Sequence, residues 1–236
     1  MTVLTKPVVS IIIPALNESE IIVSKLQSLQ HFRSQCELIV VDGGSQDGSV
    51  DLASSWVDKV VESPAGRAKQ MNEGAKAASA ELYFFLHLDT EPPSNLMELL
   101  LVSHDSCDFW GRFDVTIEGK HWMLPVVAFF MNNRSRATCI ATGDQGIFVS
   151  RSLFDKVGGF PDQPLMEDIE ISRRLLRETK PYCIRQKVKT SGRRWAEKGV
   201  FKTIFLMWLL RLAYWCGDAP EELAQRYGYP IEKQNK

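Results

Sequence analysis

The residues that could do chemistry sit at the ends of apolar runs. In FFLHLDTEPP (84–93), Phe84, Phe85, Leu86 and Leu88 surround His87, and Asp89 closes the run before two prolines. A carboxylate there can open a polar turn, or it can face a hard cation or a phosphate. Two other runs end alike. SIIIPALNE (10–18) delivers Asn17 and Glu18, and IVVDGGSQDGS (39–49) delivers Asp42. Each alone is ordinary turn chemistry, but three polar ends after three buried runs point to one shared site. A fourth acidic feature is Glu167-Asp168, which opens a helical pattern with Ile169, Leu175 and Leu176 on its apolar side. Acids in a first helical turn complement the helix dipole, and the same position keeps a carboxylate ionised, as a general base must be.

These residues need elements to hold them. Val8 to Ile13 is a continuous β-branched run ending at Pro14, as in a parallel strand covered on both faces. Asn17 or Ser19 can cap a helix carrying Ile21, Ile22, Leu26 and Leu29. Strands are expected over 37–41, 58–61 and 82–88, with helices from Ser49 to about Ser55, over 67–80 and over 96–102, the last capped by Ser94. The segment 109–117 alternates more and suits an edge or antiparallel strand. A short strand at 147–149, a short helix at 152–157, a strong helix at 167–178, a strand at 183–189 and an apolar helix at 200–215 complete the pattern. Strands alternating with helices predict an α/β fold with an open, mostly parallel, Rossmann-like sheet. No linker divides the chain, which reads as one domain over 1–195 with a helical extension over 196–236.

Composition narrows the function. The 236 residues are 44 % hydrophobic and 24 % charged, with a net charge of −1, which argues against nucleic acid as the main partner. The five cysteines have no Cys-x-x-Cys spacing, so neither a disulfide framework nor a zinc site is expected, and the cytoplasm is the natural compartment. The opening MTVLTKPVVSIIIP reads as an entering strand rather than a signal peptide. No apolar run reaches the roughly 18 residues of a transmembrane helix. Neither phosphate-loop motif is present. Gly43-Gly44 follows the second strand with the wrong spacing for a dinucleotide fingerprint, and Gly48 is followed by Ser49 without a lysine.

The ordered set SIIIPALNE, IVVDGGSQDGS, a strand ending in Leu-x-x-Asp and a late Glu-Asp opening a helix resembles family 2 glycosyltransferases, inverting enzymes of GT-A fold, over roughly residues 8–180. GDQGIFVSR (143–151), VGGFPDQPLMEDIEISRRL (157–175) and SGRRW (191–195) look like a compact, soluble, bacterial-type subgroup of it. The resemblance implies a donor site built from Pro14, Asn17, Glu18, Asp42, Arg67, Asn72, His87 and Arg194, with Gln70 on the Arg67 helix. It implies UDP-linked sugars as donors, although Gly43 stands where the family often has a second acid beside Asp42. The family's Asp-x-Asp metal motif appears as His87-Leu-Asp89, which leaves Asp89 as the ligand for Mg²⁺ or Mn²⁺. His87 has three readings: a second ligand, a hydrogen bond to ribose or metal-bound water, or a core histidine. Asp168 matches the family's base, with Glu167 orienting it or touching the acceptor. Asp144, Gln145 and Trp195 fall on the acceptor side, and Arg193-Arg194-Trp195 resembles an element that closes over donor and acceptor.

The implied partners are a nucleotide sugar and a sugar, small-molecule or lipid-linked acceptor. The apolar helix over 200–215, with Lys202 and Arg211, either packs on its own domain or a second copy, or lies at the inner face of a membrane. Three other functions compete with transfer. A non-catalytic nucleotide-sugar binder is permitted by His87 and Gly43 but opposed by Asp89 and Asp168. A sugar nucleotidyltransferase needs a glycine-rich basic loop after strand one, where this chain has PALNESE. A glycoside hydrolase also uses two carboxylates but gives no account of the polar strand ends.

Overall fold

The computed structural model describes residues 7–102 and 107–229; the first six residues of the entering segment and the last seven of the expected extension lie outside them. In chain order the elements are β1 (Val9–Ala15), α1 (Ser19–Ser28), β2 (Cys36–Asp42), α2 (Ser49–Ser54), β3 (Lys59–Glu62), α3 (Arg67–Ala77), β4 (Leu82–Phe85), β5 (Thr90–Glu91), α4 (Leu96–Leu101), β6 (Trp110–Glu118), α5 (Leu124–Thr138), β7 (Ile147–Ser150), α6 (Arg151–Lys156), α7 (Glu167–Glu178), β8 (Tyr182–Ser191), α8 (Arg193–Lys198), α9 (Val200–Cys216) and α10 (Pro220–Tyr227). The strands form one mixed sheet in the order β3-β2-β1-β4-β7-β6-β8-β5. β3, β2, β1 and β4 are parallel, β7 is antiparallel to β4 and β6, and β8 runs parallel to β6.

Alternation along the central strands builds two cores. Val9, Ile11 and Ile13 join Ile22, Leu26, Ala53, Leu96 and Leu100 on the face covered by α1, α2 and α4. Ile12, Ile39 and Val41 join Ala68, Met71, Leu153, Ile171 and Leu175 on the face covered by α3, α6 and α7. Sequential strands β1, β2 and β3 build outward in one direction, and β4 pairs on the other side of β1. Chain order therefore reverses between β1 and β4. Carboxyl-end loops diverge at such a reversal and leave a crevice.

Several local expectations change. β1 runs through Pro14 to Ala15. Leu86 N–H donates to Ile12 O, and Gly43 N–H to Ala15 O, so even positions face β4 and odd positions face β2. The missing Pro14 N–H thus falls on the β4 side, beyond that strand's last residue, where no ladder bond is lost. β4 ends at Phe85 rather than Leu88, because the chain turns, with Thr90 N–H donating to His87 O. His87 and Asp89 therefore lie on a turn beyond the strand. β6 is antiparallel to β7 as anticipated but lies inside the sheet rather than at its edge, covered by β8. The N-cap positions of α1 and α4 are Glu18 and Asn95, neither with a side-chain cap bond, in place of Asn17 or Ser19 and Ser94.

The last two helices pack back onto the sheet domain. Leu210, Leu223, Ala224 and Tyr227 cluster with Leu165, Met166 and Ile169 at the entrance to α7. Val200 packs with Leu124 and Ala128, which joins α9 to α5. No helix of the described residues is long and apolar enough to cross a membrane.

Candidate active site

Two loops at the carboxyl ends of β1 and β2 are laced together. Asn17 takes a left-handed backbone, φ 53°, which asparagine tolerates better than most residues. Its N–H donates to Ser45 Oγ at 2.8 Å, and its Oδ1 accepts Gln46 N–H at 2.9 Å. Glu18 N–H reaches Ser49 Oγ, and Ser19 N–H reaches Asp47 Oδ2, both at 2.9 Å. Asp42 is buried, and its Oδ2 accepts the N–H groups of Gly44 and Ser45 at 2.9 and 3.0 Å. The strand-end acid expected to meet a nucleotide base therefore also sets the turn. Gly43 lies against the Gln70 amide, whose Nε2 donates to Ala15 O and Val41 O. Gln70 thus joins β1 and β2 beside the expected base site. Pro14 sits one residue before the end of β1, at the mouth of this loop pair.

The turn after β4 forms the floor of the crevice. His87 is buried. Its Nδ1 lies 3.3 Å from Asp144 Oδ1, and its Cε1–Nε2 edge abuts Gly143. A Cβ at position 143 would come within 2.5 Å of Nε2, so only glycine permits this packing. Of the three readings of the ring, the structure adds its packing on Asp144 and Gly143. Asp89 is half-buried, and among the described residues its carboxylate meets one side-chain donor, Thr90 Oγ1 at 3.4 Å. Glu18 faces it. Burial pushes the Glu18 carboxyl up, Arg193 pulls it down, the Asp89 charge adds to the rise, and the net shift is upward. Arg193 of α8 reaches Glu18 Oε2 at 3.9 Å.

Among the described residues no group of three or more His, Cys, Asp and Glu side chains could enclose a metal ion. An accessible Asp89 with a second carboxylate nearby suits a hard cation that takes its remaining ligands from phosphate oxygens and water. The donor set therefore fits Mg²⁺ or Mn²⁺ shared with a diphosphate.

The opposite wall is acidic chemistry held by backbone. Met166, in the left-handed region at φ 66°, turns the chain into α7 and is itself buried. Non-glycine residues hold that conformation only where the surroundings enforce it. Asp168 follows in the first helical turn. Its Oδ2 accepts Gly143 N–H at 3.0 Å and its Oδ1 accepts Ile169 N–H at 2.8 Å. Beside it Glu167 is buried, and burial followed by the Asp168 charge pushes its carboxyl up to about 7. The pair thus holds fewer than two negative charges near neutral pH. Burial raises Asp144, but the hydrogen bond and charge of His87, then Arg67 and Arg194, hold it down at about 2. Burial would lower Arg67. Tyr229, Glu167 and Asp144 outweigh it and hold the guanidinium above its ordinary value. Arg194 donates to the Tyr227 hydroxyl and lies over that ring, 5.3 Å from its centroid. Arg67 and Arg194 thus flank Asp144 as two cations on one rim.

The structure brings together Glu18, Arg67, His87, Asp89, Asp144, Glu167, Asp168 and Arg194. Three expected site residues do other work. Both amide atoms of Asn72 pair with the Phe160 backbone at 2.9 Å, and the residue lines a groove with Tyr83, Arg151 and Asp155. Gln145 is fully buried and closes a capping box with Thr142 on the 3₁₀ turn Gly143–Gln145. Trp195 packs on Ile117, Leu124, Ala128 and Val200 and lines a groove with His121 and Phe201. In each case a polar or aromatic type beside a motif is consumed by local packing. Sequence reasoning missed Tyr227, Tyr229 and Arg134, and left Arg211 on a helix that either packs or lies at a membrane. The available signal was Arg211 itself, a lone arginine deep in an apolar run.

Comparison with known proteins identifies the family and the fold. Residues 10–157 match the model of a family described as Glycosyl transferase family 2. A 104-residue stretch, 40 % of this chain, is 33 % identical to glycosyltransferase AglE of Haloferax volcanii and spans 34 % of that relative's length. The fold is similar to that of a mannosyltransferase from Pyrobaculum calidifontis solved with GDP-Man and Mn²⁺, with a TM-score of 0.64 at 20 % identity over 96 % of this chain and 70 % of that one. It is also similar to glucosyl-3-phosphoglycerate synthase of Mycobacterium tuberculosis solved with Mn²⁺, UDP and glucosyl-3-phosphoglycerate, with a TM-score of 0.58 at 19 % identity over 96 % of this chain and 82 % of that one.

Proposed function

The chain belongs to glycosyl transferase family 2, and we propose that it is an inverting, metal-assisted transferase. In this reading it moves a sugar from a nucleotide-sugar donor, UDP-linked, to an acceptor hydroxyl. The observation that carries the proposal is Asp168: a carboxylate held by the Gly143 and Ile169 N–H groups, on a turn that packs against His87 beyond β4. The nucleoside lies against the laced loops of Asn17 and Asp42. The diphosphate lies between Arg67, Arg194 and Asp89, where guanidinium groups suit phosphate oxygens. A Mg²⁺ or Mn²⁺ held on Asp89 would neutralise charge on the leaving diphosphate.

Inversion requires the acceptor oxygen to attack the anomeric carbon from the face opposite the diphosphate. The new C–O bond forms as the bond to the diphosphate breaks, and Asp168 takes the hydroxyl proton. Partial neutralisation of Glu167 keeps a full second charge away from Asp168. His87 and Asp144 support the 143–146 turn whose N–H holds Asp168. Retention of both Asp89 and Asp168 opposes a non-catalytic binder.

A second part of the reading concerns location. The outer faces of α5 and α9 expose Phe129, Phe130, Phe201, Phe205, Trp208, Leu212 and Trp215, with Trp208 at 72 % and Trp215 at 75 %. Lys202 lies on α9 and Lys198 ends α8 just before it. An aromatic face with flanking lysines suits the headgroup region of an anionic membrane, so peripheral attachment of a cytoplasmic enzyme is part of the proposal. The test of the chemistry is Asp168→Asn. It should bind nucleotide sugar as the wild type does and lose transfer by roughly 10²-fold or more; full transfer by this variant removes Asp168 as the base.

A further inference from the structure

Two guanidinium groups near the catalytic acids lack acceptors of their own. Arg134 projects from α5 and Arg211 from α9. Nε and Nη2 of Arg134 and Nε of Arg211 are shielded from solvent without a hydrogen-bond partner among the described residues. Other arginines around α5 are better provided for. Arg112, though its Nε is also unpartnered, meets Asp114 and the carbonyls of Phe113 and Asn132, and Arg136 meets both Asp114 oxygens at 2.8 and 2.9 Å. Buried donors normally find partners, and an exception calls for a cause.

The pair lies within electrostatic reach of Asp168. Burial, then the charge of Arg211, pushes Arg134 down to about 10, and Asp168 opposes that fall. Burial likewise lowers Arg211, against the pull of Asp168 and Asp144. These three nitrogens of Arg134 and Arg211 make no hydrogen bond to Asp168, whose oxygens accept the Gly143 and Ile169 N–H groups. Nor is the arrangement loose. Asn132, two residues before Arg134, exchanges two hydrogen bonds with the Val115 backbone and meets Gln145 Nε2. Leu210, beside Arg211, is fully buried. Two like charges thus stand on anchored helices with three shielded nitrogens unpaired, within electrostatic reach of Asp168.

We infer that Arg134 and Arg211 form an anion subsite for the acceptor, which binds a phosphate-type oxyanion carried close to the hydroxyl that is glycosylated. The inference rests on the transfer reading above and names its substrate class. Guanidinium forks match such an oxyanion and satisfy their own donors by binding it. The oxyanion has two sources: a soluble phosphorylated sugar or polyol, or the phosphate of a lipid-linked acceptor lying along the exposed α5–α9 face.

The experiment titrates the full chain with inorganic phosphate in Mg²⁺, alone and with a nucleoside diphosphate filling the donor half. Wild type is compared with R134M/R211M. The variant should bind phosphate at least about tenfold more weakly, keep its nucleotide affinity within about twofold, and melt no lower than wild type, since two unpaired like charges are gone. Unchanged phosphate affinity with a lowered melting temperature makes the pair structural and overturns the inference, as does a wild type that binds no phosphate. Flotation on phosphatidylcholine vesicles with and without phosphatidic acid separates the sources. Binding that needs phosphatidic acid and is lost in R134M/R211M identifies the lipid. Loss confined to soluble phosphate identifies a soluble acceptor. If no nucleotide binds while phosphate binding remains sensitive to the variant, the transfer reading fails and the anion site stands.

Discussion

Gly143→Ala tests the packing that joins the turn after β4 to the catalytic helix. The glycine is not among the residues with positive φ, so alanine adds no backbone strain there. Its Cβ would lie 2.5 Å from His87 Nε2, where carbon–heavy-atom contacts settle near 3.5 Å or beyond, so the ring must retreat by about 1 Å. His87 is buried, so the overlap should cost on the order of 1–3 kcal/mol of stability. The retreat also lengthens the 3.3 Å contact with Asp144 and disturbs the Gly143 N–H that holds Asp168. A displacement of that size at a positioned base lowers turnover by about 10²-fold. The assay is donor turnover, followed as nucleoside diphosphate release, with melting temperature measured in parallel. His87→Ala in the Gly143→Ala background should restore stability by removing the overlap while leaving turnover low, because Asp144 has lost its partner. Turnover by Gly143→Ala within about twofold of wild type, or full recovery of both properties in the double variant, refutes the coupling of His87 to the base.

Other predictions follow from the same contacts. Glu167 moves from 4.5 to about 7 on folding, so its protonated form is favoured in the fold. The stability it provides is present below about 4.5 and is lost as pH rises through about 7, by a few kcal/mol at most. Melting temperature should therefore fall from about pH 5 to about pH 8 less steeply in Glu167→Gln than in wild type. Asn72→Ala leaves the Phe160 backbone unpaired and should cost roughly 1–3 kcal/mol in denaturant unfolding, with donor KM unchanged. Tyr227→Phe removes the hydroxyl that accepts from Arg194 and should raise donor KM several-fold, by about 1 kcal/mol, with a smaller effect on kcat.

Much of the sheet was legible because its central strands are unbroken β-branched runs. The acids and the arginine that matter were legible because they stand where such runs stop or where α3 and α7 begin. The end of β4 was misjudged because Leu86 and Leu88 remain apolar beyond the last ladder bond; both are buried, so hydropathy does not register the turn. Asn72 and Gln145 were read as ligand contacts, and His87 was left between ligand and core, because polar side chains beside motifs look available. Their partners are backbone groups or residues distant in sequence: Gly143 and Asp144 for His87, Phe160 for Asn72, Thr142 and Asn132 for Gln145. Arg211 and Tyr227 reach the crevice only because α9 and α10 fold back onto the entrance of α7, and Arg134 comes from α5. No local pattern encodes that contact, since the packing residues Leu210, Leu223 and Ala224 are ordinary apolar types.

The most direct test of the central claim is calorimetric titration of the protein with nucleotide sugars, UDP-linked first, with and without Mn²⁺, for wild type and Asp89→Ala. The account predicts binding that tightens with Mn²⁺ in wild type and loses that dependence in Asp89→Ala, with slow donor hydrolysis lost in parallel. Nucleotide-sugar affinity that is indifferent to the metal and to Asp89, or absent in every condition, contradicts it.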